Sequence, residues 1–308
     1  MQHSSHLLMI KPVHFDFNEE TAVNNSFQTK SADIDIQVNA LMEFETFIAV
    51  LQSNGIDVTV INDTPDPHTP DSIFPNNWIS FHEKATVCLY PMFAGNRRLE
   101  RKQHVLDEIQ KKFGVDQIID LTEHEAYHAF LEGTGSMVLD RDHALAYACL
   151  SPRTDKNVLT VFCEKLDYQP VYFTAFDLGN QPIYHTNVMM CVADAYAVIC
   201  LETIHDRTER QMVVRKLTET GKKIIEISID QMNHFAGNML QVHNADGTIF
   251  LVMSSQAFRS LTEEQILQLE AFNPIIHSDI TTIETNGGGS ARCMMAEIFL
   301  PLNPYLIC

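Results

Sequence analysis

Asn187-Val188-Met189-Met190-Cys191 runs through a polar turn at Ala193-Asp194 into a second apolar stretch, Ala195–Leu201. A small or polar residue, an apolar run, a turn and another apolar run together read as a β-hairpin. The phrase recurs. Asn77-Trp78-Ile79-Ser80-Phe81 passes through His82-Glu83-Lys84 into Ala85–Tyr90, and Gly135-Ser136-Met137-Val138-Leu139 passes through Asp140–His143 into Ala144–Leu150. Gly237-Asn238-Met239-Leu240-Gln241 leads through Asn244–Gly247 to Thr248–Met253. A last half-phrase, Ala291-Arg292-Cys293-Met294-Met295, has no second run of its own, and the N-terminal Leu7–Val13 is its candidate partner. The anchor positions 78, 137, 189, 239 and 294 recur every 50 to 60 residues or so, a spacing typical of propellers and arrays.

Amphipathic segments lie between the hairpins. Leu41, Phe44, Ile48 and Leu51 form one helical stripe, and Leu99, Leu106, Ile109 and Phe113 form another. A helix is expected over 155–165, and Thr262 with Gln265 makes a capping box that opens a further one. Strand pairs alternating with helices five times over predict an α/β fold: a closed five-bladed α/β propeller of pseudo-fivefold ββαβ units, its N- and C-termini sharing a blade. On the repeat alone an ordinary mixed α/β domain is the alternative. No Ser/Gly linker or low-complexity tract interrupts residues 1–308, so a single domain is expected.

Composition narrows the function classes. Apolar residues make up 45% of the 308-residue chain, enough for a sizeable core. A net charge of −19 opposes nucleic-acid binding. No run approaches the length of a membrane span, and the N-terminus lacks the pattern of a secretory signal. Seven cysteines without a CxxC pair fit a reducing cytoplasm rather than a disulfide framework. Oligomeric state is not encoded legibly; a homodimer is compatible with the sequence.

The reactive side chains gather at one edge of the repeated phrases. Asp71, Asn76 and Asn77 precede the first hairpin, Glu132 the second and His185 the third, while Cys293 opens the last half-phrase. In a radial fold those edges converge on the axis. A Cys, a His, a carboxylate and several amides meeting there suit substitution at a planar, resonance-stabilised carbon: a thiolate attacks, a histidine moves protons, a carboxylate orients it. Each residue also has a plain reading. Cys88, Cys149, Cys191 and Cys200 sit inside alternating apolar runs and read as inert core, Cys163 lies in the expected 155–165 helix, and Cys308 is terminal. Cys293 differs because Gly287-Gly288-Gly289 precedes it and Arg292 adjoins it. Taken singly, Glu132 beside Gly133 reads first as an ordinary turn carboxylate, and His185 is one of 14 histidines.

One motif competes. His124-Glu125-Ala126-Tyr127-His128 matches the zinc-protease pattern HExxH. That pattern needs a long helix and a third ligand. Gly133 and Gly135 follow within a few residues, so no metal and no cofactor is expected.

Five segments taken in order resemble the guanidino-group-modifying superfamily, the pentein enzymes that include arginine deiminases, dimethylarginine dimethylaminohydrolases and amidinotransferases. Asp71-Ser72-Ile73-Phe74-Pro75-Asn76-Asn77 is similar to the D-x-V-F-x-E-D segment, and Leu131-Glu132-Gly133-Thr134-Gly135-Ser136 to the L-[DE]-G-G-D turn. Leu150-Ser151-Pro152-Arg153-Thr154-Asp155 resembles the L-S-x-R-T-N stretch, His185-Thr186-Asn187 the histidine segment, and Gly287-Gly288-Gly289 through Cys293-Met294 the C-terminal G-G-x-x-x-C. The resemblance implies a hydrolase cleaving a C–N bond of a free arginine-like amino acid. In it Cys293 forms a covalent intermediate, His185 serves as acid and then base, and Glu132 is the supporting carboxylate. Arg153 would hold the substrate α-carboxylate and Asp71 its α-amino group.

The departures carry information. Relatives grip a guanidinium with carboxylates at the positions of Asn77 and, in arginine deiminases, Asn187; here both are amides, and Asn76 also replaces an acid. An amide both donates and accepts, which suits a neutral ureido group. The expected substrate is therefore citrulline, hydrolysed to ornithine, ammonia and CO2, as in bacterial citrulline-utilisation hydrolases. The N-terminal Lys11–Phe17 and Asn24-Asn25-Ser26-Phe27 are similar to that branch and to arginine dihydrolases, with Asn25 as a further substrate ligand. Arginine or methylarginine hydrolysis, amidino transfer and a non-catalytic propeller, as in a ribosome anti-association factor, are the alternatives.

Overall fold

The computed structural model describes residues 1–32 and 34–303; Cys308 lies outside them. Five three-stranded sheets follow one plan. Sheet I comprises Ile79–His82, Thr86–Leu89 and Gln117–Asp120; sheet II comprises Val138–Asp140, Leu145–Cys149 and Gln169–Phe173. Sheet III comprises Met190–Val192, Tyr196–Ile199 and Lys223–Glu226; sheet IV comprises Leu240–His243, Ile249–Ser254 and Ile275–Ser278. The first two strands of each pair antiparallel, as in Ser80 opposite Cys88 and Val198 opposite Cys191. The third returns parallel to the second, as in Ala146 beside Pro170. A parallel return needs a crossover, and a helix fills it in every unit.

Sheet V joins the two ends of the chain. Ala296–Glu297 pairs antiparallel with His6–Lys11, which pairs parallel with Asp57–Asn62. The expected sharing of one sheet by the two ends is therefore present. The central strands carry near-continuous apolar runs because both faces are covered: Leu145–Cys149 is buried throughout, as are Leu7–Ile10.

The crossover helices follow their sequence signals. In Ile36–Ser53 the buried face is Ala40, Phe44, Phe47, Ile48 and Leu51, while Leu41 is only half-buried. Asp155 caps Lys156–Leu166 by accepting from the amides of Asn157 and Val158, a contact worth about 1 kcal/mol. The expected capping box at Thr262 and Gln265 opens Glu263–Glu270. The second predicted stripe begins too early. The helix is Gln103–Lys112, and Leu99 lies before it, 49% exposed.

The starts of the repeated phrases differ from expectation in a way that matters. Met189 and Met294, read as strand residues, belong to single helical turns, Thr186–Met189 and Ala291–Met294. Gly133–Ser136 and the 3₁₀ turn Pro75–Asn77 occupy the same place before sheets II and I. One helical turn before the first strand of four sheets, and a non-helical turn through Gly237 before sheet IV, bring polar side chains together, where a straight strand would alternate them between faces.

Candidate active site

Hydrogen bonds link these turns in sequence. Asn76 Nδ2 donates to Thr134 Oγ1 (3.3 Å), and Thr186 Oγ1 donates to Ser136 O (2.6 Å). Asn238 Nδ2 donates to Asn187 O (2.9 Å), and the amide of Arg292 donates to Asn238 Oδ1 (3.0 Å). Two glycines permit this packing. Gly133 has φ +47°, and a Cβ there would lie 2.3 Å from Asn76 O. A Cβ on Gly135 would lie 2.3 Å from Asn77 Nδ2 and 2.8 Å from His185 Nδ1.

His185, Glu132 and Cys293, distant in sequence, line or border one small cleft with Asp71, Asn77 and Arg153. His185 Nε2 lies 2.7 Å from Glu132 Oε2, with both side chains buried. Burial pushes the imidazole down to about 4, against the hydrogen bond and charge of Glu132, which act in the other direction. Burial likewise disfavours the Glu132 anion, but Arg153 and His185 outweigh it and hold the carboxyl below the usual range. At neutral pH the pair is thus an imidazole donating Nε2–H to a carboxylate. The other carboxylate oxygen, Oε1, accepts from the Phe93 amide (2.9 Å). Cys293 Sγ sits 3.4 Å from both Asn187 Nδ2 and Asn238 Nδ2.

The other end of the cleft is closed by the segment from Asn18 to Gln28. Arg153 donates from Nε to Asn24 Oδ1 (2.8 Å) and from Nη2 to Thr21 O (2.7 Å), and its Nη1 is 3.5 Å from Glu132 Oε2. Asp71 Oδ2 accepts from Asn18 Nδ2 (2.8 Å) and Thr21 Oγ1 (3.2 Å). Burial raises the Asp71 carboxyl, with Arg97 opposing. Asn25 borders the cleft, but its amide is engaged by the protein: Nδ2 donates to Gly288 O (3.2 Å) and Oδ1 accepts from the Phe27 amide (3.1 Å).

Several buried polar atoms have no partner among the described residues. They include Asp71 Oδ1, Asn76 Oδ1, Asn77 Nδ2 and Asn187 Oδ1. Asn77 is oriented without ambiguity. Arg97 Nη1 donates to its Oδ1 (2.8 Å), so the NH2 is the end left over. Asn77 Nδ2 is thus a leftover donor on the cleft wall, and Asn187, which does not line that cleft but touches Cys293 through Nδ2, carries a leftover acceptor, Oδ1. Unmet buried groups of this kind cost about 1–3 kcal/mol each, which a matching ligand recovers.

Among the described residues, the other cysteines and the HExxH segment take no part. Cys88, Cys149 and Cys191 are buried, and burial pushes each thiol up to about 12. His124–His128 forms no long helix: residues Thr122–Tyr127 are a 3₁₀ turn and His128 has φ +52°. Glu125 is paired with Arg101 (2.7 Å) and accepts from the Met92 amide. No cluster of His, Cys, Asp or Glu among the described residues is placed to hold a metal ion.

Residues 11–300 match the family described as N,N dimethylarginine dimethylhydrolase, eukaryotic. The chain belongs to that family. Its members are hydrolases acting on non-peptide C–N bonds, within the guanidino-group-modifying superfamily, and the chain is an enzyme of that class. The fold is shared with ArgZ, an arginine dihydrolase of the ornithine–ammonia cycle in cyanobacteria, at TM-score 0.76 and 17% identity. That match covers 97% of this chain and 41% of ArgZ, so the chain spans about two fifths of that protein. The N-terminal domain of an ArgZ variant, covalently bound to a reaction intermediate, aligns at TM-score 0.75 and 18% identity, over 97% of this chain and 99% of the domain. A dimethylarginine dimethylaminohydrolase adduct with S-methyl-L-thiocitrulline aligns at 0.65 and 15% identity, over 96% and 99% of the two chains. No curated protein sequence matches the chain.

Sequence motifs singled out nine residues here, and the cleft also depends on others. Arg97 is buried, pairs bidentately with Glu100 (2.8 and 3.0 Å) and fixes Asn77. Asn18, Thr21 and Asn24 occupy Asp71 and Arg153, and Asn238 reaches the sulfur. Asn238 stood in plain view in the fourth phrase, at the position matching Ser136 and Val188 in other phrases, and only contact with Cys293 distinguishes it.

Proposed function

We propose that the chain hydrolyses citrulline to ornithine, ammonia and CO2, as a single-domain five-bladed α/β propeller with Cys293, His185 and Glu132 as its catalytic groups. The observation that carries the substrate assignment is Asn77. With Oδ1 committed to Arg97, its free Nδ2–H meets a ureido oxygen favourably, whereas a guanidinium offers only further N–H groups. Asn187 Oδ1, unpartnered and buried, complements the ureido NH2.

The chemistry follows from the groups present. The Cys293 thiol loses its proton to His185, whose imidazolium is stabilised by Glu132 through the 2.7 Å bond. The thiolate adds to the ureido carbon. The C–N bond to one amine breaks as His185 returns the proton to that nitrogen, leaving a thiocarbamate on Cys293. Water then attacks the same carbon, giving its proton to His185. The C–S bond breaks, the sulfur is reprotonated, and the released carbamate decays to CO2 and the second amine. One water consumed balances ornithine, ammonia and CO2.

At the other end, Arg153 exchanges its bonds to Asn24 for the substrate α-carboxylate, a planar match for a guanidinium. Asp71 Oδ1 receives the α-amino group, and Asn25 and Asn76 complete the wall around the aliphatic chain and headgroup. The Asn18–Gln28 segment opens to admit substrate. Family membership favours a second reading, hydrolysis of arginine or a methylated arginine. Purified protein incubated with citrulline or with arginine, with ornithine and ammonia measured, separates the two. Ornithine from citrulline is expected; ornithine or citrulline from arginine, with none from citrulline, refutes the ureido assignment.

A further inference from the structure

Asn238 is fully buried at the end of the turn before sheet IV, and its amide faces three groups. The backbone amide of Arg292 donates to Oδ1 (3.0 Å), and Nδ2 donates to the backbone carbonyl of Asn187 (2.9 Å). A backbone N–H needs an oxygen and a backbone carbonyl needs an N–H, so these two contacts fix which end of the amide is which. One hydrogen of the NH2 is used by Asn187 O. The other is directed at Cys293 Sγ, 3.4 Å away. Asn187 Nδ2 supplies a second donor to the same sulfur at the same distance.

We infer that Asn238 is a positioning residue which, with Asn187, holds the Cys293 sulfur in place and favours its anionic form before any substrate enters. The inference rests on Cys293 being the nucleophile. Hydrogen bonds to an ionised acceptor are about twice as strong as neutral ones, so paired N–H donors stabilise a thiolate over a thiol. A cationic substrate would bring a positive charge to the sulfur; a neutral ureido group brings none, and the donors must come from the protein. A carboxylate at 187 or 238 would present no N–H at all. The local sequence is built for this reach: a Cβ at Gly237 would lie 2.3 Å from Val188 O, so only glycine lets the turn approach closely enough.

The thiol itself has a use for the same amide, since Sγ lies 3.7 Å from Asn238 Oδ1. That contact is longer than either N–H···S contact and has no second member. The other charged or titratable groups near the sulfur are Arg292, Tyr184 and His185, with Glu132, Arg153 and Arg97 beyond them and Asp71 on the far wall. The Arg292 guanidinium is directed at Met295 O (2.7 Å) and Glu297 (3.1 Å). Substituting Asn238 removes none of these side chains, although the Ala variant also loses the acceptor for the Arg292 amide.

The test is the rate of Cys293 alkylation by iodoacetamide in the ligand-free full chain as a function of pH, read by peptide mass spectrometry. Asn238→Asp keeps the acceptor for Arg292 N–H, and Asn238→Ala removes both ends of the amide. The midpoint is expected to rise by about one pH unit in the Ala variant, roughly tenfold slower alkylation below the midpoint, and further in the Asp variant. Asn187→Ala moves it in the same direction. If either Asn238 variant melts well below the parent, Asn238→Ser, which retains one donor, is read in its place and is expected between wild type and Ala. Unchanged midpoints in folded variants overturn the inference. Because alkylation needs no substrate, the outcomes separate: citrulline turnover with unmoved midpoints removes the role of Asn238 alone. Moved midpoints without citrulline turnover remove the substrate assignment alone.

Discussion

His185 Nε2 and Glu132 Oε2 are 2.7 Å apart and both side chains are buried, so a proton on the imidazole is held against a carboxylate that cannot be neutralised by solvent. Burial pushes His185 down to about 4 even with Glu132 working against it. Glu132→Gln removes that opposition. The imidazolium needed during turnover becomes harder to form, and activity on the substrate is expected to fall about 10²–10³-fold with the fold intact. Steady-state kinetics together with thermal melts check this. The sign for stability also follows. Between about pH 4 and the ordinary histidine value of 6.5, an unfolded chain binds a proton at His185 that the folded chain does not. Acidification through that window therefore destabilises the fold. NMR of the His185 ring should show it still neutral at pH 5.5.

Asn77→Asp should change which substrate is preferred. The Arg97 bond to Oδ1 survives, but the free N–H becomes a carboxylate oxygen. Losing a donor to the ureido oxygen is expected to lower kcat/KM for citrulline about 10–100-fold, in line with about 1–3 kcal/mol for an unmatched buried polar group. The relative activity toward arginine should rise. Competition kinetics with both substrates measures the ratio.

Gly135→Ala places a methyl group where Asn77 Nδ2 and His185 Nδ1 now approach to 2.3 and 2.8 Å of it. Both side chains must move, and both belong to the proposed machinery. Activity should fall at least 100-fold while the melting temperature drops by only a few degrees, since side-chain tips rather than backbone take up the clash.

Glu284 offers a test away from the chemistry. Burial pushes its carboxyl up to about 7, against hydrogen bonds from Ser254 and Ser290. A raised carboxyl means the folded state keeps a proton that the unfolded chain has released. Stability should fall as pH rises from about 4.5 through 7, by up to roughly 3 kcal/mol from this group. Urea unfolding of Glu284→Gln at pH 5 and pH 8 should show a smaller loss between the two than the parent shows.

The hairpins were legible because antiparallel pairing is local and leaves two apolar runs around a short turn, as at Ser80 and Cys88. The parallel third strands were not. Gln117–Asp120 is exposed at three of four positions, so it carries no alternation to read. The turns before each hairpin were misread as strand for a related reason: Val188-Met189-Met190 is an unbroken apolar run, and only packing decides that its first half is a helical turn. Cys293, His185 and Glu132 were legible through ordered motifs. Asn238 and Arg97 were hidden because their importance lies in whom they touch, and the Asn18–Asn24 contacts to Asp71 and Arg153 join segments far apart in sequence.

The most direct test of a Cys293-dependent hydrolysis of a neutral ureido substrate is acid-quench mass spectrometry of the wild-type chain during turnover of citrulline or of arginine. Acid stops the second half of the reaction and traps the fraction of the chain that carries the covalent group. The account predicts a citrulline-derived carbonyl group on the Cys293 peptide and no adduct from arginine. An adduct formed from arginine alone, or wild-type turnover of citrulline that survives Cys293→Ser, would contradict it.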